Sequence, residues 1–409
     1  MTAVRVSPQT SVIIPARNCP AHLGAALRSI ALSTYCDYEI IVVNDASTDR
    51  TRDEAVAAGA TVIDLPDQRG PAAARNAGVR SARGEVIVFL DADVCVQPDT
   101  LERLVRRLIQ RPDVVAVFGS YDRMPHAGNI VSQYRNLVHH FVHQTSSTTA
   151  STFWAGCGAI RRSVFVDIGG FDEGYSRPSV EDIELGMRLR AAGHAILLDH
   201  SVQVQHLKRW DLWGMLVTDI FSRGVPWTRL LLKARAVPND LNLKISQRVS
   251  AVLALVTLGL IIAMALENPW VWAVALLSLV AFLMLDEWSL TRRVPDVMRI
   301  IGVALAVTVV GAAVYFSPKL ASLVLLLLLV LALINVQSYS FFARERHPLF
   351  ALLVLPLHLL FLWYSMFAFG LGVLSTAFDF VSRKNPGSRG RRSVTPPSAD
   401  HGQTRTDAR

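Results

Sequence analysis

"GEVIVFLDADV", Gly84 to Val94, decides the fold. Its apolar run, Val86 to Leu90, stops at Asp91 and Asp93, with a single alanine between them. A short unbroken apolar run rich in β-branched residues suits a strand buried on both faces, as in a parallel sheet covered by helices. Like charges one residue apart repel, so a pair at the end of such a strand needs a reason.

The flanking sequence has the same grammar. "SVIIP" reads as a strand and "AHLGAALRSIAL" as a helix. "YEIIVVND" is a second strand, followed by "STDRTRDEAVAAG", a helix capped by Ser47 or Thr48 and ended by Gly59. "TVIDLP", "GPAAARNAGVRSARG" and "EVIVFLDAD" continue as strand, helix and strand. This alternation predicts βαβ units and an α/β fold with a mostly parallel sheet. Ligands of open α/β sheets bind at the carboxyl ends of the strands. Arg17 and Asn18, Asn44 and Asp45, and Asp91 and Asp93 all fall at such ends.

A divalent cation resolves the repulsion between Asp91 and Asp93. Mg2+ and Mn2+ take oxygen ligands and usually keep waters and substrate phosphates in their shell. The pair therefore suggests a clamp for a metal–diphosphate. A D-x-D alone is a weak signal, and its place beside other polar strand ends strengthens it.

The second half is of another kind. Hydrophobic residues are 51% of the 409, and they concentrate from Val249 to Phe380. Membrane spans are expected at 249–266, 269–285, 300–317 and 319–336, with a longer stretch at 349–378 broken by Pro356. Helices with almost no polar face have nothing to show to water, which argues for an all-α multi-pass transmembrane region. The basic loops "LTRRVPDVMR" and "ARERH" place the first half on the cytoplasmic side of the inner membrane. Five spans would put the basic tail outside, so the last stretch is expected to be a re-entrant hairpin or to lie partly in the interface. "WDLWGMLVTDIFSRGVPWTRLLLKAR", Trp210 to Arg235, mixes Trp with Arg and Lys and suits helices lying on a bilayer. The expected division is a catalytic domain at 1–210, amphipathic interfacial helices at 211–248, transmembrane helices at 249–380 and a disordered basic tail at 381–409.

Net charge is +8, and from Ser382 onward seven Arg or Lys stand against two Asp. Much of the positive charge thus lies in the tail, and no basic stripe marks a nucleic-acid groove. Cys19, Cys36, Cys95 and Cys157 form no C-x-x-C pair, so free thiols are expected rather than zinc. "MTAVRVSPQT" lacks an apolar core, and no cleavable leader is expected.

"SVIIPARN", "IIVVNDASTDRT", "GPAAARNAG", "VIVFLDADV", "GGFDE" and "EDIELGMRLRAAG" occur in an order and spacing that resemble family 2 glycosyltransferases of the GT-A fold. The resemblance covers residues 10 to 210, and the membrane half resembles, more loosely, that of bacterial membrane-attached members. It implies a UDP- or GDP-linked sugar as donor and Mg2+ or Mn2+ as cofactor. Pro15, Ala16, Arg17 and Asn18 would form the first nucleotide loop, and Asp45 would read the base or ribose. Arg75 would lie near the nucleotide. Asp91 would approach the ribose and metal, and Asp93 would chelate the cation. Asp182 would be the catalytic base, with Glu181 beside it. Both acids open a helix, where the dipole favours an ionised carboxylate.

"HLKRW", His206 to Trp210, departs from the Gln, two residues, Arg, Trp pattern of processive synthases such as those of cellulose and chitin. Either Trp210 stacks on an acceptor sugar, or His206 is a third metal ligand; the latter reading is favoured, with Arg209 as a diphosphate contact. "HHFVH", His139 to His143, reads as a satisfied histidine pair on one helix face. Asp172 in "GGFDE" is placed to touch sugar hydroxyls, and Trp154 and Gly156 to line the acceptor side.

The expected function is inverting transfer of a sugar to a lipid or lipid-linked acceptor at the cytoplasmic membrane face. Two other readings stand beside it: a processive polysaccharide synthase that extrudes its polymer, and a catalytically dead membrane scaffold. The altered Gln position argues against the first, and the intact Asp91, Asp93 and Asp182 against the second.

Overall fold

The computed structural model of the protein describes residues 9–235, 239–267 and 317–384. The first of these holds an eight-stranded sheet: β1 (Thr10–Ala16), β2 (Tyr38–Asn44), β3 (Thr61–Asp64), β4 (Val86–Leu90), β5 (Val94–Val96), β6 (Val114–Tyr121), β7 (Cys157–Arg161) and β8 (Ala195–His206). Their spatial order is β3-β2-β1-β4-β7-β6-β8-β5. The four strands read from the sequence form one parallel block, β3-β2-β1-β4. Beyond it the sheet is mixed, because β7 and β5 run against their neighbours. β5 follows β4 after a three-residue turn, too short for a parallel crossover, and pairs antiparallel with β8 instead.

The strands are apolar because both faces are covered. Ile13, Ile41, Val43, Ile87 and Phe89 point to one face and Val12, Ile14, Val42, Val88 and Leu90 to the other. Alternation along each strand makes this division. On the first face lies α3 (Pro71–Ser81), whose alanines let it sit flat on the sheet. A methyl group at Gly78 would collide with Ile13. The same face holds Phe89 against Phe153, Phe165 and Phe171, with ring centroids 6.4, 5.4 and 5.1 Å away. α1 (Pro20–Ala31) and α4 (Thr100–Gln110) cover the second face.

One helix begins later than its sequence suggests. α2 spans Thr51–Ala57, so neither Ser47 nor Thr48 caps it. Ser47 Oγ instead accepts from the Asn18 N–H at 3.1 Å, and the Thr48 N–H donates to Asn18 Oδ1 at 2.9 Å. These residues tie two strand-end loops together before the helix starts. Asp49 Oδ1, 3.0 Å from the Thr51 N–H, takes a donor at the helix start. Gly59, at φ 74°, follows the helix in the left-handed conformation expected of it.

Toward the C-terminus, two helices are long and apolar enough to cross a bilayer among the described residues, within Ile245–Met264 and Pro348–Phe380. They fall on the first and last expected spans. The spans expected at 269–285 and 300–317 lie outside the described residues, Ser317 excepted, as does the tail beyond Lys384. The span expected at 319–336 is not straight: helices Pro318–Ile334 and Val336–Glu345 meet at a 69° bend. Asn335 sits in the bend. Its amide donates to Leu331 O and to Ser250 Oγ, both at 2.9 Å, so the break is satisfied by side-chain bonds.

After the bend, Val336–Glu345 lies against the sheet domain. Phe342 packs with Val131, Tyr134 and Leu137 of α5 (Ile130–Gln144). Arg346 donates to Gln133 Oε1 at 2.7 Å and to Arg123 O at 2.6 Å. The stretch at 349–378 is no hairpin; its interruption falls at Val354, and the chain runs on through Pro356 as Leu355–Lys384. Proline is tolerated there because it lies in a first turn, where its missing N–H has no intrahelical partner.

Phe89→Ala empties the centre of the aromatic group and should cost about 3–5 kcal/mol. Chemical denaturation followed by tryptophan fluorescence will show it as a lowered midpoint with an unchanged slope.

Candidate active site

The carboxyl ends of β1, β2 and β4 lie side by side, and the polar residues read from the sequence meet there. Asn18 and Ala46 take left-handed conformations, at φ 48° and 53°. Such strain in two neighbouring strand-end loops is typical of a ligand-facing edge. Pro15 lies past the last β1–β4 pair, Ile13 with Phe89. Ala16 is buried and Arg17 and Asn18 are exposed beyond it.

Asp45 is buried and turned to the backbone. Its two oxygens accept the N–H groups of Arg69 at 2.7 Å and Gly70 at 3.0 Å. It thereby fixes the loop that opens α3. Gly70 needs its φ of 86°, and a side chain there would collide with the backbone of Ser176.

Arg75 is the centre of the site. Its guanidinium is buried on α3 and bonds two acids from distant parts of the chain. Nη2 donates to Asp91 Oδ1 at 2.7 Å and Nη1 to Glu181 Oε1 at 2.9 Å. Phe171 lies against its third side, 5.5 Å from ring centroid to Cζ. The next residue, Asn76, also buried, holds Phe171 of "GGFDE" by both backbone groups, each at 2.9 Å. Its Nδ2 also reaches Glu173 Oε1 at 3.1 Å. α3 thus carries the two side chains that fasten the strand end, the helix α7 (Glu181–Ala191) and the loop before it. Asn76 and Glu173 are absent from the sequence reading; an asparagine inside an alanine-rich helix, a poor helix former, was the signal available.

Glu181 uses its other oxygen to accept the Ser179 N–H at 2.9 Å, so both ends of this acid are bonded. Asp182 is held only by backbone, from Ala155 at 3.2 Å and Ile183 at 2.8 Å. Burial and the neighbouring Glu181 charge push its carboxyl up to about 6, against the opposing pull of Arg75. Of the two acids, Asp182 therefore has the environment of a proton acceptor. Asp172 is exposed and bonds the Gly174 N–H at 2.9 Å, away from this group.

Asp93 stands apart from Asp91. It lies 3.6 Å from His206 Nε2, and its backbone O accepts the Leu207 N–H at 2.8 Å. Burial pushes its carboxyl up, but the nearby His206 ring, with Lys208 and His22, leaves it lowered. Asp91 shifts the other way, raised by burial against the pull of Arg75. Among the described residues, no three His, Cys, Asp or Glu side chains converge on a metal position. Asp93 and His206 make a pair, and Asp91 is turned to Arg75.

The His206 ring stacks on Tyr121, with centroids 4.3 Å apart and planes 16° apart. Tyr121 in turn meets His139 at 4.3 Å, and His139 meets His143 at 3.9 Å. Trp154 packs on Tyr121 and His139 at 5.0 and 4.8 Å. Burial keeps His139 and His143 well below their usual range, His143 at about 4, so both are neutral rings. The histidine pair is satisfied, as the sequence reading had it, by the Tyr121 N–H at His139 Nδ1 and Gly119 O at His143 Nδ1.

Trp210 is 7% exposed. Arg135 and Lys208 lie over its ring at 4.2 and 3.9 Å, and it packs with Tyr134, Met215 and Phe342. Its ring is engaged at the junction with the C-terminal helices, while Arg209 is exposed beside it.

An acid pair at a strand end, a buried arginine joining it to a second acid pair, and two strand-end loops with left-handed residues thus meet at one edge of the sheet. Residues 11–169 match the family model "Glycosyl transferase family 2". An uncharacterised glycosyltransferase of Haemophilus influenzae is 26% identical over 186 residues, covering 44% of this chain and 61% of that protein. The pre-mycofactocin glycosyltransferase of Mycobacterium tuberculosis is 29% identical over 223 residues, covering 52% of this chain and 46% of that protein. The chain thus spans about half the length of these relatives. The solved mannosyltransferase of Pyrobaculum calidifontis, in complex with GDP-Man and Mn2+, is 19% identical with a TM-score of 0.46, covering 81% of this chain and 87% of that one.

Replacing Arg75 by Met leaves Asp91 and Glu181 without their shared cation. Removing one partner of a buried pair costs about 3–5 kcal/mol. Thermal unfolding of the purified Arg75→Met chain should show a lowered midpoint, and Glu181→Gln a smaller drop, since the amide still accepts from Arg75.

Proposed function

We propose that this chain is an inverting glycosyltransferase that moves a sugar from a nucleotide donor to a lipid or lipid-linked acceptor at a membrane surface. The observation that carries the reading is the buried Arg75 bridge, which sets the Asp91 strand end opposite the Asp182 helix end. A donor diphosphate at the first and an acceptor hydroxyl at the second would meet across the gap.

The donor set fits a divalent cation of the Mg2+ or Mn2+ type. Asp93 and His206 supply an oxygen and a nitrogen, and such ions commonly complete their shell with waters and substrate phosphates. When bound, the ion neutralises negative charge on the leaving nucleoside diphosphate. Asp91, already bonded to Arg75, is left to the ribose side. The loop of Pro15 to Asn18, braced by Asn18 against Ser47 and Thr48, shapes the nucleotide edge. Asp45 acts by fixing the Arg69–Gly70 loop. Arg209, exposed next to Trp210, is available to the diphosphate.

Asp182 takes the proton of the acceptor hydroxyl as its oxygen attacks the anomeric carbon. The nucleoside diphosphate leaves from the opposite face, so one displacement inverts that carbon. Glu181, with both oxygens bonded, holds Arg75 rather than moving a proton. The acceptor assignment is supported by attachment: the sheet domain is bonded to apolar helices of membrane-crossing length. A soluble acceptor would have no need of that arrangement.

Asp182 must be ionised to act. Its carboxyl is raised to about 6, so the transfer rate should fall about tenfold per unit as pH drops below that value and level off above it. Asp182→Asn should lower the rate by about 10²–10⁴-fold while leaving nucleotide affinity in place. With labelled UDP- and GDP-sugars and a membrane lipid extract, label should pass into the organic phase. Label found only on soluble saccharides would overturn the lipid assignment.

A further inference from the structure

We infer that Ser179 is a positioning residue through which the C-terminal apolar helix sets the catalytic acids. The inference rests on the proposed sugar transfer for its meaning, but the linkage itself is geometric. Between the sheet domain and the apolar helices lies a π-helix, Thr218–Gly224, a rare form that occurs frequently at functional sites. Asp219 on it is partly buried and accepts from three groups. Arg135 of α5 donates twice, at 2.5 and 2.7 Å, and the Tyr364 hydroxyl of helix Leu355–Lys384 donates at 2.7 Å.

Two close contacts lock the same segment onto that helix. A Cβ built at Gly224 would lie 2.6 Å from Ala368 Cβ, and one at Gly372 would lie 2.5 Å from Thr228 Cβ. Asp219 with Tyr364, Gly224 with Ala368 and Thr228 with Gly372 step along both segments in the same direction. Arg229 extends the row by pairing with Asp379. Small residues at successive turns let two helix backbones approach closely. The segment therefore moves with the apolar helix.

Its other side touches the site. The Ser179 hydroxyl donates to Ser222 O, in the middle of the π-helix, at 2.6 Å. The N–H of the same Ser179 donates to Glu181 Oε2 at 2.9 Å. Glu181 continues to Arg75 and Asp91. Hydrogen bonds thus lead from Tyr364 to the π-helix, and from the π-helix through Ser179, Glu181 and Arg75 to the strand end that carries Asp91, the helix backbone between Asp219 and Ser222 joining the two runs. A partly buried ion pair such as Arg135–Asp219 is weak evidence for stability and better evidence for a fixed geometry. Apolar packing alone would have joined the two parts; the polar path adds a defined position for residues 179–182.

The test uses the full chain in lipid nanodiscs. Tyr364→Phe and Ser179→Ala, on either side of the π-helix, should each lower kcat about tenfold with donor KM unchanged, since small misplacements are costly in rate. Ser179→Thr keeps the hydroxyl and should restore kcat. The double variant should lose no more than either single one, because both break one path. Independently of any activity, hydrogen exchange at residues 179–183 should quicken about tenfold in Tyr364→Phe. Unchanged exchange there, or a kcat equal to that of the parent in Ser179→Ala, overturns the inference. Absence of sugar transfer in the parent chain would instead count against the proposed function, and the exchange measurement would still decide the linkage.

Discussion

A buried guanidinium is the constraint on which the site depends. Arg75 cannot lose its charge in a protein, so once the fold buries it, acids must come to it. Asp91 arrives from the end of β4 and Glu181 from the start of α7. Their separation is thereby fixed by the width of one planar fork. Asp93, two residues from Asp91, is left to face His206. Asp182, next to Glu181, is left with only backbone donors and a raised carboxyl. In each acid pair one member is bound to Arg75 and the other is not.

The same economy governs the loops around it. Asn76 fastens "GGFDE" while Arg75 fastens the acids, so one turn of α3 organises both. Asp45 spends both oxygens on the loop that starts α3. The helix in turn lies on β1 and β2 because small residues allow it to. The sheet core, the helix and the site are one packing problem.

Much of this was legible from residue order. The strands β1 to β4 announce themselves because each is an apolar run closed by polar residues, and parallel strands must be buried on both faces. The late start of α2 was not legible, because Ser47 and Thr48 look like caps until Asn18 is brought across from another loop. β5 was hidden for a similar reason: its antiparallel pairing depends on β8, more than a hundred residues away. The acids and Arg75 were visible as motifs, but not that Arg75 joins two of them. Trp210 resembled an exposed sugar platform, and only the helices after the 69° bend show that its ring is engaged. That bend is itself set by Asn335 bonding to Ser250 on another helix, a contact no local pattern encodes.

In the proposed reaction the end of β4 and His206 would hold a divalent cation with the diphosphate of a nucleotide sugar. A ligand that binds the folded state raises its apparent stability by about 2.7 kcal/mol at a hundredfold excess over Kd. The most direct measurement is the unfolding midpoint of the chain with UDP- and GDP-sugars, with Mn2+ or with chelator, for the parent and for Asp93→Ala. A rise that appears only with the metal in the parent, and vanishes in Asp93→Ala, is the predicted result. An equal rise in both proteins, indifferent to chelator, would contradict it.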